Sequence, residues 1–191
     1  GGIESVAHAA GYSVLVSQSN ERWEEEKNIV KTMLAKKIDG LAISLASETT
    51  DYKHFDAVIS RGVPVVFFDR VPLDKRSSCV RIDNRTAAYN AVMHLIKQGC
   101  TRIVHLSGPQ AISVYKDRQD GYVQALMDSD IRVDSSLIFE NSITLATGEE
   151  AGKKILAMPV LPDAIFSAGD YSAMGVMHVL KKNGVKVPED I

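Results

Sequence analysis

Residues 162–170 read PDAIFSAGD, and this stretch decides the fold class. The apolar run 164–167 has the length of a buried strand, and it leads directly to Gly169 and Asp170. A helical pattern follows, with apolar residues along one face: Ala173, Val176, Met177 and Leu180. A strand whose carboxyl end opens onto a helix is the repeating unit of open α/β sheets, and such sheets bind small ligands at that edge.

The same strand-and-helix unit recurs along the chain. Strands are predicted at residues 13–17, 40–45, 63–68, 79–82, 102–106, 137–140 and 164–167. Helices are predicted at residues 3–10, 22–37, 84–98, 115–127, 147–158 and 172–183. Most of the strands are continuously apolar, which is typical of parallel strands buried on both faces. The sequence therefore predicts the α/β class with doubly wound parallel sheets.

Two polar segments interrupt this alternation. Residues 71–78 contain a proline and several charged side chains, which predicts a loop. Residues 98–101, QGCT, separate a helix from a new strand. We place the border between two subdomains there, which gives an N-terminal subdomain at 1–98 and a C-terminal subdomain at 99–191.

Composition limits the classes of function. The 191-residue chain is 45% hydrophobic, which is enough for a sizeable core. Its net charge is −2, whereas surfaces that hold nucleic acid are usually basic, so most of the chain is not expected to bind nucleic acid. No apolar run approaches the roughly 20 residues of a membrane-spanning helix. Cys79 and Cys100 are expected to be reduced thiols rather than a disulfide.

The sequence lacks the common motifs of enzymes, cofactor sites and metal sites. Its thirteen glycines form no G-x-G-x-x-G, Walker A or G-x-S-x-G pattern. The five histidines show no metal-ligand spacing. The acidic run 24–26 is interpreted as the solvated first turn of a helix rather than a cation site. We therefore predict no enzyme activity, no cofactor and no metal.

Polar side chains gather at the carboxyl ends of the predicted strands. Such a ring suits a polyol or a heterocycle, because these ligands need several directed hydrogen bonds in a partly apolar cleft. Each residue also has a simpler explanation, since Asp83 and Asp170 are suited to capping helices. The residues of the ring are Ser44, Ser47, Asp69, Arg70, Asp83, Asn84, Ser107, Gly169 and Asp170.

Arg118 is the candidate ligand-binding cation. It lies in the first turns of a predicted helix, after the loop 107–109. Its fork of N–H donors is suited to a carboxylate or to vicinal hydroxyls. The alternative is a surface arginine that pairs with Asp117 or Asp120.

The order of these motifs resembles the effector-binding core of the LacI/GalR family of bacterial transcription regulators. The matching stretches cover nearly the whole chain. They are 2–12 (GIESVAHAAGY), 38–41 (IDGL), 62–66 (GVPVV) with Asp69 and Arg70, 82–84 (IDN), 94–99 (HLIKQG), 102–103 (RI), 106–109 (LSGP), Arg118 with Gly121 and Tyr122, 162–166 (PDAIF), Asp170 with 173–175 (AMG), and 187–191 (VPEDI).

The resemblance implies a fold and a mechanism. It implies two doubly wound subdomains of periplasmic-binding-protein-like type I, truncated at both ends in this chain, with a small-molecule effector in the cleft between them. It implies a cytoplasmic repressor whose N-terminal helix-turn-helix, absent here, binds operator DNA as a homodimer. The effector, a sugar or sugar derivative, changes the angle between the subdomains, which requires different effector affinities in the two arrangements. No membrane partner is implied.

Site residues follow from the resemblance, position by position. Arg118 matches the family's cleft arginine, and Asp83 matches a cleft acid. Val114 and Ile143 match wall positions, although some members carry a stacking aromatic where Ile143 stands. Asp170 stands where many sugar-responsive members carry Asn. The expected effector-binding set is Arg118, Asp83, Val114, Ile143, Asp170, Gly169, Arg70 and Ser47.

The resemblance also implies parts outside this chain and contacts between copies. A first strand with its loop is expected upstream, and a strand bearing a cleft aspartate is expected downstream. Helices 3–10 and 172–183 are expected to form the dimer. A periplasmic sugar-binding protein of an ABC transporter is the alternative function, and an α/β enzyme with a degenerate site is a third hypothesis.

Overall fold

The computed structural model describes residues 1–72 and 78–191. Its helices are α1 (Gly2–Ala9), α2 (Trp23–Ala35), α3 (Asp56–Ile59), α4 (Asn84–Lys97), α5 (Ser113–Asp128), α6 (Leu145–Leu156) and α7 (Asp170–Lys182). Its strands are β1 (Leu41–Ile43), β2 (Val65–Phe68), β3 (Ser78–Val80), β4 (Ile103–Leu106), β5 (Ile138–Phe139) and β6 (Ala164–Ser167), and short 3₁₀ helices span Lys53–Phe55 and Ser135–Leu137. Among the described helices, none is long and apolar enough to cross a membrane.

The described residues form two compact units, Gly1–Val80 and Arg81–Ile191. Helix α4 falls in the second unit because it packs along α5. The predicted subdomain border between residues 98 and 99 stays a prediction. Of the loop predicted at 71–78, residues 73–77 lie outside the described part of the chain.

The first unit is built on a parallel sheet with the strand order β1-β2-β3. Leu41 lies opposite Val65, and Phe68 lies opposite Val80. A core cluster packs on the sheet, and its residues come from α2, the 3₁₀ helix Lys53–Phe55, α3, β2 and the segments that follow β1 and β2: Val30, Leu45, Phe55, Val58, Phe67 and Val71. The apolar runs therefore predicted the parallel pairing correctly.

The strand predicted at 13–17 is wrong. This segment forms no strand in the structure, and Val14, Leu15 and Val16 are exposed. Residues of this segment and of β1 both line a cavity of about 1180 Å³. A strand needs a hydrogen-bonded neighbour, and residues 13–17 have none among the described strands.

Glu26 corrects the interpretation of the acidic run. Glu24 and Glu25 are exposed as predicted, whereas Glu26 is buried. Its carboxylate accepts hydrogen bonds from Ala46 N at 2.7 Å, Thr49 Oγ1 at 2.9 Å and His54 Nε2 at 2.8 Å. A buried carboxylate is tolerated when its lone pairs are satisfied in this way. Glu26 thus attaches the segment after β1 to the first turn of α2.

The second unit has a parallel sheet with the order β5-β4-β6 and helices on both faces. Alternate side chains of β4 point to opposite faces of the sheet. Val104 and Leu106 pack with residues of α6 and α7, whereas Ile103 packs with residues of α4 and α5. This unit is therefore doubly wound, as predicted. Both cysteines are free thiols, also as predicted.

Glycines allow the helices of each pair to approach closely. A Cβ added to Gly121 of α5 would lie 2.3 Å from the carbonyl oxygen of Arg85 in α4. The second pair is α6 with α7, where a Cβ on Gly148 of α6 would lie 2.3 Å from the Ser172 carbonyl oxygen. A Cβ on Gly175 of α7 would lie 2.2 Å from the Leu145 carbonyl oxygen. Backbone contact at these positions leaves no room for a side chain.

His105 is a fully buried polar residue in β4. Its ring centroid lies 4.9 Å from that of Tyr122 and 4.9 Å from that of Phe166, and the Tyr122 and Phe166 ring centroids lie 6.4 Å apart. Nδ1 lies 3.1 Å from the Phe166 carbonyl oxygen, whereas Nε2 has no partner among the described residues. Burial lowers the pKa of His105 to about 4, so the ring is neutral at pH 7.

Candidate ligand-binding edges of the two units

Arg118 is held by two segments of the second unit. The residue lies in the second turn of α5, and its Nε donates a hydrogen bond to Asn84 Oδ1 at 3.0 Å. Its Nη1 donates to the carbonyl oxygen of Ala168, just after β6. Asn84 is the first residue of α4 and is buried. Arg118 therefore joins the beginning of α4 to the carboxyl end of β6.

The guanidinium of Arg118 keeps donors for a ligand. It carries five N–H groups, and the bonds to Asn84 and Ala168 use two of them. Within residues 1–72 and 78–191, no partner is found for the other three. The pairing with neighbouring acids that was the alternative is not formed. Asp117 instead pairs with Arg81, with 3.8 Å between Asp117 Oδ2 and Arg81 Nη1. Asp120 pairs with Lys116, with 2.7 Å between Asp120 Oδ2 and Lys116 Nζ.

Asp83 caps the helix that begins beside Arg118. Its Oδ1 accepts from Thr86 N at 3.0 Å, and its Oδ2 accepts from Thr86 Oγ1 at 2.8 Å. These hydrogen bonds lower the pKa of Asp83. Asp83 is therefore the N-cap of α4, as the simpler explanation had it. Effector binding by its carboxylate stays a prediction.

A polar network lies at the carboxyl end of β4. Ser107 is fully buried, and its Oγ donates to Gln119 Oε1 at 2.8 Å. Gln110 Nε2 donates to Ser107 Oγ at 2.9 Å and to the Gly108 carbonyl oxygen at 2.9 Å. Gln119 follows Arg118 in α5, so this network fixes the turn of helix that carries the arginine. The sequence did not single out Gln110, because a lone glutamine in a loop carries no pattern.

The other predicted residues of the second unit differ in exposure. Gly169 is the N-cap of α7 in an extended conformation, and Asp170 is exposed in the first turn. Asp170 therefore does not cap the helix as the N-cap residue. Val114 is buried within α5, and Ile143 is half-buried after β5. The wall roles of Val114 and Ile143 stay predictions.

Ser47 and Arg70 meet at the carboxyl edge of the first unit's sheet. Both contact the carboxylate of Glu21. No sequence pattern indicated that Glu21 would lie with them. Arg70 Nη2 donates to Glu21 Oε1 at 2.8 Å, its Nη1 donates to Glu21 Oε2, and Ser47 N donates to Glu21 Oε2 at 2.8 Å. The hydrogen bond from the Arg70 guanidinium is the main cause that lowers the pKa of Glu21 to about 2.

The structure thus brings the predicted residues together in two separate sets. In the second unit, Arg118 lies with Asn84 and the chain at 168–169. In the first unit, Ser47 and Arg70 share Glu21. Over the described ranges 1–72 and 78–191, no group of three His, Cys, Asp or Glu residues could hold a metal ion.

Comparisons with known proteins agree over the whole chain. The family described as periplasmic binding proteins and sugar binding domain of LacI family matches residues 1–191. The HTH-type transcriptional repressor CytR of Escherichia coli is 35% identical over 193 residues, which cover 100% of this chain and 55% of that repressor. The chain therefore spans about half the length of the curated relatives it matches.

Solved structures of regulators share the fold. The transcription regulator CcpA of Lactococcus lactis matches with a TM-score of 0.89 at 27% identity, covering 100% of this chain and 69% of that chain. A complex of the transcriptional regulator CelR with cellobiose matches with a TM-score of 0.86 at 27% identity, covering 99% of this chain and 57% of that chain. These relatives are transcription regulators and not enzymes. With every residue matched, the chain belongs to the family of periplasmic binding proteins and sugar-binding domains of the LacI type.

Proposed function

We propose that this chain is the effector-sensing core of a cytoplasmic LacI-type transcriptional repressor, and that its effector is a sugar or sugar derivative. The arrangement of Arg118 is the observation that carries the proposal. Its guanidinium is fixed by Asn84 and Ala168 at the carboxyl edge of a parallel sheet and retains three donors. The cellobiose bound to CelR and the repressor CytR support the ligand class and the role.

Vicinal hydroxyls of a sugar, or the carboxylate of a sugar acid, are the groups that we propose Arg118 binds. A planar guanidinium presents its N–H donors in a fixed fork, and two neighbouring oxygens of the ligand can accept from it. A ligand bound there contacts a side chain that already joins α4 to the end of β6. Binding therefore favours the arrangement in which both contacts of Arg118 are intact, and a ligand shifts an equilibrium only through such a difference in affinity.

Operator DNA and a second copy are the proposed partners. The net charge of −2 agrees with DNA binding through a separate N-terminal helix-turn-helix. Helix α1 buries none of its residues and exposes Ile3 and Val6, and α7 exposes Tyr171, Met174 and Met177. Exposed apolar helix faces of this kind mark protein contacts. We propose that α1 and α7 contribute to a homodimer.

A thermal-shift screen of the full-length protein against sugars, sugar acids, sugar phosphates and nucleobases tests the ligand class. A ligand at about 100 times its Kd adds roughly 2.7 kcal/mol to the free energy of unfolding. We expect a sugar-like hit whose shift is lost in Arg118→Ala, because the variant lacks the donors. Arg85→Ala is the matched control, since Arg85 bonds to Gln124 on the surface. An unchanged shift in folded Arg118→Ala would refute the role of Arg118.

A further inference from the structure

Two serines of the second unit are fully buried at the sheet edge where Arg118 lies. Ser107 directly follows β4, and Ser172 lies in the first turn of α7. A hydroxyl group is tolerated in the interior when it is hydrogen-bonded. The sequence placed Ser107 in the ring of ligand-binding residues. Because Ser107 has no accessible surface, its hydroxyl group bonds to neighbouring protein groups rather than to a ligand.

The side-chain hydrogen bonds of Ser107 run in one direction. The Gly108 carbonyl oxygen can only accept, so the Gln110 atom 2.9 Å from it is the amide nitrogen. The same nitrogen donates to Ser107 Oγ at 2.9 Å. Gln119 Oε1, at 2.8 Å, is a nearer acceptor for the single O–H of Ser107 than the Gly108 carbonyl oxygen at 3.4 Å. Ser107 therefore holds Gln119, the neighbour of Arg118 in α5, in one orientation.

The backbone of Ser107 is fixed as well. Its N–H donates to the Phe139 carbonyl oxygen at 2.9 Å, and its carbonyl oxygen accepts from Ser142 N at 2.8 Å. Phe139 is the last residue of β5, so Ser107 is bonded to the end of the neighbouring strand and to the chain that follows it. The Ser107 hydroxyl group thus ties the second turn of α5 to the sheet itself.

Ser172 lies near the other end of the Arg118–Ala168 hydrogen bond. Its Oγ donates to the Gly169 carbonyl oxygen at 3.1 Å and lies 2.8 Å from Ser167 Oγ. Ser167 Oγ lies 2.7 Å from the same carbonyl oxygen. Since Gly169 directly follows Ala168, these hydroxyl groups hold the chain beside the carbonyl oxygen that accepts from Arg118.

Order at Arg118 matters for ligand binding. An arginine side chain has many rotamers, and a ligand that binds a mobile guanidinium has to order it at a cost in free energy. Contacts that already hold the guanidinium in the free protein remove this cost. Arg118 is held at Nε by Asn84 and at Nη1 by Ala168. Groups that fix α5 or the chain at Ala168 therefore influence how well Arg118 binds.

We propose that Ser107 and Ser172 are positioning residues that hold Arg118 ready for its ligand. Ser107 acts through Gln119 and the second turn of α5, and Ser172 acts through the Gly169 carbonyl oxygen. Neither serine contacts the ligand. The inference rests on the ligand role proposed for Arg118. It is tested on the guanidinium itself and without any ligand, so its failure is distinguishable from failure of the proposed function.

The test is NMR of the full-length protein, isotope-labelled at arginine, which measures exchange of the Arg118 Nε–H proton with water. Arg118→Ala identifies the signal by its loss. This proton is hydrogen-bonded to Asn84, so its exchange should be slow. We expect Ser107→Ala and Ser172→Ala each to raise its exchange rate about tenfold relative to the backbone amides of β4. A general loss of stability would instead raise both rates by the same factor.

Matched variants make the result specific. Ser129→Ala removes a hydroxyl group that lies 3.4 Å from Met93 Sδ at the far end of α5, and it should leave the exchange of Arg118 unchanged. Gln119→Glu keeps an acceptor for the O–H of Ser107 and should keep exchange slow. Gln119→Met removes that acceptor and should reproduce Ser107→Ala, so it replaces Ser107→Ala if that variant does not fold.

Three results would overturn the proposal. The role of Ser107 is lost if folded Ser107→Ala or Gln119→Met keeps exchange slow, or if Gln119→Glu exchanges as fast as Gln119→Met. The role of Ser172 is lost if folded Ser172→Ala keeps exchange slow, and Ser167→Ala takes its place if it does not fold. Both roles are lost if Ser129→Ala raises the exchange rate equally.

Discussion

Arg118 illustrates how a single side chain acquires a role from residues far away in the sequence. Its position in an early turn of α5 was predictable from the loop that precedes it. Its partners Asn84 and Ala168 are 34 and 50 positions away, and no local pattern indicates that they would meet it. Glu21 and Arg70 are 49 positions apart, so their pairing was equally hidden. Sequence patterns report periodicity along the chain, whereas sites depend on contacts across it.

His105 predicts how stability depends on pH. Its pKa falls from 6.5 to about 4 on folding because the buried ring is held neutral. His105 therefore binds a proton more tightly in the unfolded chain than in the folded one. Its contribution to the free energy of unfolding is present above pH 6.5 and is lost as the pH falls toward 4. The expected loss of unfolding free energy between pH 7 and pH 5 is about 2 kcal/mol.

Urea unfolding at the two pH values measures this loss. His105→Gln does not titrate, so we expect its unfolding free energy to change less between pH 7 and pH 5, although it is less stable throughout because the stacking is lost. The exposed His178 provides the matched control, His178→Gln, which should keep the original pH dependence. An unaltered pH dependence in His105→Gln would show that another group is responsible.

At the level of elements, apolar periodicity predicted most helices and strands. The strand β6 has the predicted bounds, and β1, β2, β4 and β5 are shorter than predicted at one or both ends. The strand β3 begins at Ser78, one residue earlier than predicted and within the predicted loop, and it ends two residues earlier than predicted. The failures have physical causes. The apolar run 13–17 lacks a neighbouring strand among the described residues, and α3 is too short to show a helical period.

The pairing of α4 with α5 depends on Gly121. We expect Gly121→Ala to lower the free energy of unfolding by about 1–3 kcal/mol, because the added Cβ would overlap the Arg85 carbonyl oxygen and force the helices apart. Chemical denaturation of the full-length protein measures the difference. Gly2→Ala in α1 is the control, since a Cβ there meets nothing within 4 Å and alanine favours a helix. Equal stability of Gly121→Ala and the unmodified protein would mean that the helices are not held this closely.

At the scale of the whole molecule, the α/β class and the parallel sheets followed from the sequence. The residues that hold each candidate site could not be predicted, because within each unit they come together through contacts between segments that are far apart in the sequence. The first unit brings Glu21, Ser47 and Arg70 together at its sheet edge, and the second unit holds Arg118 in place at its own sheet edge. Both edges are formed by the ends of parallel strands, which is why polar residues recur there along the chain.

The most direct test of the proposed sensing role is the affinity of the full-length protein for the operator DNA that we propose it binds, measured by fluorescence anisotropy with and without the ligand found by thermal shift. Coupling between two sites is typically about 5- to 150-fold in affinity. We predict a change of at least about fivefold for the unmodified protein and no change for Arg118→Ala. Operator affinity that stays the same while the ligand is bound would contradict the account.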